Sequence, residues 1–238
     1  MLKNNRYTLY FLLLIFSNSL FFSCKENVND QKNTANNENV TVKDTVWSKA
    51  DKIIASINVP TFQDQSFSIV EFGAVSDGKT LNTKAFKDAI AACTEAGGGK
   101  VIVPEGKFLT GAIHLKSNVN LHLEEGAEIL FTKDKKAYLP VVHTSYEGVE
   151  LMNYSPLIYA YKQKNIAVTG KGTFNGQAGK DNWWPWCGAE RYGHIEGEPQ
   201  QKDTVNLPRL RKMNEAGTPV AERVFGEGYQ LRPTFFEP

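Results

Sequence analysis

The 238-residue sequence has almost no net charge: 27 Lys and Arg against 26 Asp and Glu leave a formal +1. It therefore has no basic field to draw in nucleic acid and no acidic tail, and no nucleic-acid partner is expected. It also lacks a long apolar run. The one near its start, Tyr7 to Phe16, is too short for a spanning helix and, following Lys3 and Arg6, has the shape of a signal peptide. Cysteine is scarce, with three in the chain. Phosphate-binding loops are missing too. Gly97-Gly98-Gly99 has no Lys-Ser/Thr after it, and Gly170-Lys171-Gly172 with Gly176 leads into a strand and turn rather than a helix whose N–H groups could meet a pyrophosphate.

The leader closes on Leu20-Phe21-Phe22-Ser23-Cys24, which resembles the lipobox of bacterial lipoproteins. Residues 1–24 are read as the signal and Cys24 as the lipidated residue, with a plain cleaved signal or an uncleaved anchor as alternatives. Export follows on each reading, to the outer membrane on its periplasmic or outer face, or to the medium. The membrane is then a partner through the lipid anchor. Lipidation of Cys24 leaves Cys93 and Cys187. Cys93 falls on the apolar side of an expected helix, which favours a small buried thiol over a bridge or a ligand. No metal site and no cofactor are inferred.

Residues 25–60 read as a flexible tether followed by a short helix. Asn, Asp, Glu, Lys and Thr dominate its first part, which holds too little apolar surface to offset chain entropy. From Trp47 to Ile57, Trp47, Ala50, Ile53, Ile54 and Ile57 share a side, suiting a helix that covers an apolar end. A second helix is expected over Thr83 to Glu95. Asn82 stands at its start, Ala85, Phe86, Ala89, Ile90 and Cys93 recur at helical spacing, and Gly97 supplies the stop.

After Gly99 the period changes. Short apolar stretches at Val101 to Val103, Ala112 to Leu115, Val119 to Leu123 and Ala127 to Phe131 alternate with turns such as Lys116-Ser117-Asn118 and Glu124-Glu125-Gly126. The pattern resumes at Leu157 to Tyr161, Asn165 to Gly170 and Gly172 to Gly176 after an excursion through Tyr138 to Ser155. Short strands with tight corners and no helix between them suit a solenoid, whose insertions project from one face. Residues 177–223 read as a long loop, rich in Gly, Pro and charge, with Trp183, Trp184 and Trp186 close together.

Phe72-Gly73-Ala74-Val75, Asp77-Gly78, Asn82-Thr83, the triple Gly before Val101-Ile102-Val103-Pro104, Thr110-Gly111 and the run Asn165 to Gly176 resemble the opening of family 28 polygalacturonases. Trp183-Trp184, Glu222 to Gly228 and Leu231-Arg232-Pro233 are similar to bacterial exo-acting and rhamnogalacturonan-related members. The resemblance covers residues 66–238. It implies an all-β fold, a right-handed, single-stranded, pectin-lyase-like parallel β-helix with an N-terminal helical cap, occupying residues 61–238 and incomplete at its C-terminal end. It also implies inverting hydrolysis of pectin-type acidic plant polysaccharide by the full-length family member.

Inverting hydrolysis needs one carboxylic acid and one carboxylate across the scissile bond. The family carries this machinery as Asn-x-Asp, Asp-Asp, Gly-His-Gly and Arg-x-Lys, none of which occurs here. No catalytic residue is therefore assigned within the chain; the resemblance places the catalytic carboxylates beyond Pro238, and the chain is expected to be inactive by itself. Gly193-His194-Ile195 is a decoy and Glu124-Glu125 a solvated turn. Trp183, Trp184 and Trp186 are candidates to stack on sugar, and Arg223 and Arg232 to pair with a galacturonate carboxylate. The alternative is that the tryptophans pack the loop down and the arginines pair internally. A non-catalytic carbohydrate-binding β-helix and a lyase on the same architecture are the competing functions.

Overall fold

The computed structural model describes residues 46–238; the leader, Cys24 and the first part of the tether lie outside them. The described residues fall into two units, one ending at Ser56 and the other running from Ile57 to Pro238. Within the first, α1 (Val46–Ser56) is amphipathic, and Trp47, Ile53 and Ile54 are exposed.

The second unit is a parallel coil stack built of four turns of chain. The first coil holds β1 (Ser66–Ser68) and β2 (Asp77–Leu81), then α2 (Thr83–Glu95). The second holds β3 (Gly99–Val103), β4 (Gly106–Thr110) and β5 (Ile113–His114). The third runs through β6 (Val119–Leu123) and β7 (Ala127–Phe131), leaves as the antiparallel hairpin of β8 (Val142–Tyr146) and β9 (Val149–Asn153), and returns as β10 (Ile158–Tyr159). The fourth comprises β11 (Ala167–Gly170) and β12 (Thr173–Asn175), a second excursion carrying α3 (Leu207–Glu215), and β13 (Phe236–Glu237), which Pro238 follows directly.

Three parallel sheets result, in the orders β1-β3-β6-β11, β2-β4-β7-β12 and β5-β10-β13. Each strand lies above its counterpart one coil earlier, about 4.8 Å away. This is the right-handed parallel β-helix expected, with α2 as its helical cap. Register is held by side chains that all point inward: Val101 pairs with Leu121, Val103 with Leu123 and Phe108 with Ile129, each essentially inaccessible. Burying side chains of this kind stabilises by roughly 1.5–3 kcal/mol each.

The corners are polar and stacked. Asn118 and Asn165, both in the left-handed region, sit one coil apart; Asn165 Nδ2 donates to Asn118 Oδ1 at 3.0 Å and to Thr61 O at 2.7 Å. Gly170 marks where the backbone of the fourth coil presses on the third. Its φ is +103°, and a Cβ there would lie 1.9 Å from the Leu123 carbonyl oxygen.

Several expectations are corrected. Asn82 makes no capping bond to α2. Its buried amide accepts from Val75 N and donates to Val75 O, Thr80 O and Leu109 O, knotting the first coil to the second. Residues 177–223 are not all loop: α3 lies within them, starting after Asn206 with Pro208 in its first turn, where a missing N–H costs nothing. Both excursions leave the stack between the second and third sheets, at the same corner. They share a small core of their own, Tyr146, Leu151, Leu207, Leu210, Phe225 and Leu231. A side lobe therefore stands against the third and fourth coils.

Cys93 is fully buried on the inner face of α2, and burial pushes its thiol up; Cys187 is half-buried, and both thiols are free.

Candidate functional site

Where the lobe meets the fourth coil there is a pocket of about 550 Å³. Its lining combines Leu157, Phe174 and Phe235, of which Phe174 is in register with the inward Ile129 of the coil below, with a rim at Asn175, Gly176 and Gln177 and with Trp183, Trp184, Tyr146 and Arg232. Its walls contain one cationic group and no Asp or Glu.

The rim is fixed by the coil below it. Gln177 Nε2 donates to Phe131 O at 2.9 Å, and Gly179 and Asn182 exchange backbone hydrogen bonds of 2.9 and 3.0 Å. That tight loop forces Trp183 to φ +60°, a conformation worth about 1–3 kcal/mol of strain for a bulky residue. Packing holds it there. The Trp183 ring meets Tyr138 at 5.5 Å and Trp186 at 5.2 Å, both edge to face, and is nine-tenths buried.

The five candidate residues separate into three groups. Trp183, Trp184 and Arg232 line the pocket together. Trp184 is the exposed ring, 40% accessible, steadied by Tyr192 at 5.8 Å. Arg232 has its Nε buried without a hydrogen-bond partner, and its side chain lies beside the Tyr146 hydroxyl. Trp186 packs behind, between Trp183 and Tyr154, and is not in the lining. Arg223 is elsewhere, buried and held internally: its guanidinium donates to Thr218 O at 2.8 Å, Glu150 O at 3.1 Å and Asn214 Oδ1 at 2.8 Å. It staples the first excursion to the second. Arg209 is likewise internal, on the Tyr229 hydroxyl.

Sequence reasoning missed Tyr146, whose hydroxyl donates to Gln201 Oε1 at 2.7 Å. Burial raises its phenol, and nearby Arg232 acts the other way. It also missed Lys135, whose ammonium lies 3.7 Å above the Trp183 ring centre and donates to Asn182 Oδ1. Burial is the main cause that lowers Lys135 to about 8. His194 donates to or accepts nothing in this pocket; its Nδ1 is 3.1 Å from Pro185 O. Glu125, of the adjacent acidic pair, is exposed and bridges to Lys171 at 3.1 Å.

Chemically the pocket offers an aromatic surface, amide groups and a guanidinium, which suits a sugar carrying a carboxylate. With no carboxyl group in its walls, it does not itself provide an acid and base for glycoside cleavage.

The structure superposes on the hyperthermoactive exopolygalacturonase of Thermotoga maritima with a TM-score of 0.76 and 46% identity, over 80% of this chain and 42% of that one. The chain is similar, in sequence and in fold, to the polygalacturonase-like glycoside hydrolases of family 28. It is 38% identical over 128 residues to a probable polygalacturonase of Vitis vinifera, a match covering 50% of this chain and 26% of that protein. To an exo-poly-alpha-D-galacturonosidase of Dickeya chrysanthemi it is 37% identical over 121 residues, 48% of this chain and 20% of the relative. The chain thus spans less than half the length of the solved family 28 relative and about a quarter of these curated ones. No protein-family model matches it.

Proposed function

We propose that this polypeptide is the pectin-recognising part of a polygalacturonase-like hydrolase, and that by itself it binds galacturonan without cleaving it. The observation that carries the reading is the placement of the Arg232 guanidinium and the exposed ring of Trp184 in one pocket whose walls hold no carboxylate. A galacturonate carboxylate pairs with the guanidinium while the sugar face lies on the indole. Inverting hydrolysis in a family member depends on a pair of carboxyl groups that this pocket does not hold. Export, with lipid on Cys24, belongs to the same proposal.

The competing reading is a surface protein that holds acidic glycan for other enzymes, favoured by the same lack of carboxylates in the pocket. Pull-down on polygalacturonate combined with a reducing-sugar assay tests the proposal. Binding that falls in Arg232→Ala and Trp184→Ala supports it, and equal binding by those variants removes the pocket from the account. Reducing-sugar release by the chain alone defeats the claim that it does not cleave. Joining the fourth coil to the unmatched part of the Thermotoga relative separates the two readings: hydrolysis by that chimera supports the hydrolase reading. Incorporation of labelled palmitate, lost in Cys24→Ala, tests the anchor.

A further inference from the structure

Trp47 of α1 is 78% exposed, the most of any large apolar side chain among the described residues, and Ile53 and Ile54 are 63% and 66% exposed. With Ala50 they fall at i, i+3, i+6 and i+7, so they form one stripe of the helix, while Lys49, Asp51 and Lys52 take the rest of its circumference. Ser56 Oγ donates to Ile53 O at 2.7 Å and closes the last turn. An isolated helix of 11 residues is marginal in water, and covering such a stripe is what stabilises it.

The length and position of α1 narrow what covers it. Eleven residues are fewer than two heptads, too few for a coiled-coil seam with a second copy. They span about 16 Å, half of a bilayer's hydrocarbon core, and no helix among the described residues is long and apolar enough to cross a membrane. Such a helix can lie along a bilayer but not through it. Residues 25–45 are all that separate it from Cys24, the residue proposed above to carry lipid. A flexible stretch of that length spans roughly 25 Å, so lipid on Cys24 would keep α1 within reach of the bilayer surface. A Trp in the first turn suits the headgroup boundary, where the ring meets acyl chain and its N–H stays wet. Formal charge on the helix nearly cancels, Lys49 and Lys52 against Asp51, so the contact is one of apolar burial rather than of attraction to anionic lipid.

We infer that α1 is a membrane-docking helix, one that lies in the plane of a lipid surface with Trp47, Ile53 and Ile54 in the headgroup boundary and its charged side in water. An acyl group alone would leave everything after Cys24 held through residues 25–45; α1 adds a second contact, and two linked contacts hold a protein on a bilayer far longer than either does. Its placement near the bilayer rests on the anchor proposed above, whereas its affinity for lipid is its own and is read with or without acylation.

The test uses the full chain, both unaltered and as Cys24→Ala, with vesicles of phosphatidylcholine, and reads hydrogen exchange by mass spectrometry in the peptide that covers α1. Exchange from Lys49 to Ser56 is expected to slow by about tenfold or more when vesicles are added, in both forms, while α2 is unchanged. Trp47→Ser/Ile54→Ser should abolish the slowing and leave the rest of the chain's exchange as it was, since both side chains are exposed. Trp47 fluorescence, taken as the difference between the parent and Trp47→Phe, should be quenched more by lipid brominated near the headgroup than by lipid brominated near the chain ends, as an in-plane helix requires. Capture of the chain on vesicles while α1 exchanges freely overturns the inference, because another segment then makes the contact. Protection of α1 before any vesicle is added also overturns it, and assigns the stripe to a second copy if that protection grows with protein concentration and to its own chain if it does not. Failure of the anchor reads differently: α1 would still be protected by vesicles, with no palmitate incorporated at Cys24.

Discussion

The ammonium of Lys135 lies 3.7 Å above the centre of the Trp183 ring, joining the start of one excursion to the start of the next one coil later. The cation is half withdrawn from water. Burial, only partly offset by Asp134 and Asp181, lowers it to about 8.

A lysine whose folded-state pKa is depressed binds its proton more weakly when folded than when unfolded. Between about 8 and its ordinary value near 10.5 the unfolded chain therefore holds more protons, and this residue makes stability rise with pH across that window. NMR titration of the Lys135 side chain should give a midpoint near 8. Lys135→Met keeps the stem against the indoles, and it should flatten the Lys135 contribution to that rise. An ordinary lysine midpoint would mean that the contact is too wet to matter.

Asp77 gives a slope of the same sign in the acid range. Its carboxylate accepts from Thr80 N at 2.7 Å and Lys79 N at 2.8 Å, with the Thr80 hydroxyl as a further donor, and these bonds hold it at about 2. Its stabilising contribution is present above the unfolded value near 4 and is lost as pH falls through about 2. Acid titrations of Asp77→Asn and the parent, followed by circular dichroism, should converge as pH drops from 4 to 2. A constant gap between them would exclude this linkage.

How much of this could be read from sequence depended on whether a residue's role was local. β6 and β7 were legible to the residue because Val119, Leu121 and Leu123, then Ala127, Ile129 and Phe131, alternate inward between polar corners. β2 was not, because Asp77 to Leu81 buries no side chain and is held through a bulged backbone pairing with β4. α3 was hidden by its composition: nine residues that bury only Leu207 and Leu210, and those against a lobe core assembled from two excursions. Arg223 and Arg232 look alike in sequence, each in a segment rich in Gly, Pro and charge. Their fates are set by distant partners, Glu150 O for one and the neighbourhood of Tyr146 for the other. Only the third dimension separates them.

That separation is testable. Arg223→Ala should remove three charge-assisted bonds at a buried site and cost about 2–4 kcal/mol in urea denaturation. Polygalacturonate binding by the protein that remains folded should be unaltered. A variant of normal stability with weakened binding would restore Arg223 to the substrate role and refute the staple.

Asn206 tests whether the lobe is a cooperative part of the fold. Fully buried, its Nδ2 donates to Gln200 O and Gln230 Oε1, both at 2.9 Å, and its Oδ1 accepts from Gln230 N at 2.8 Å. Asn206→Ala leaves these partners without replacement in a dry interior, a loss of about 2–3 kcal/mol. Because Leu231 and Phe225 share a core with β9 and α3, and Arg232 follows Leu231 directly, the damage should spread to the pocket. Hydrogen exchange is expected to show faster opening at Leu207, Phe225 and Leu231 together, while inward positions of the stack such as Leu121 and Ile129 stay unchanged. Acceleration confined to residues next to Asn206 would show that the lobe lacks the shared core that positions Arg232.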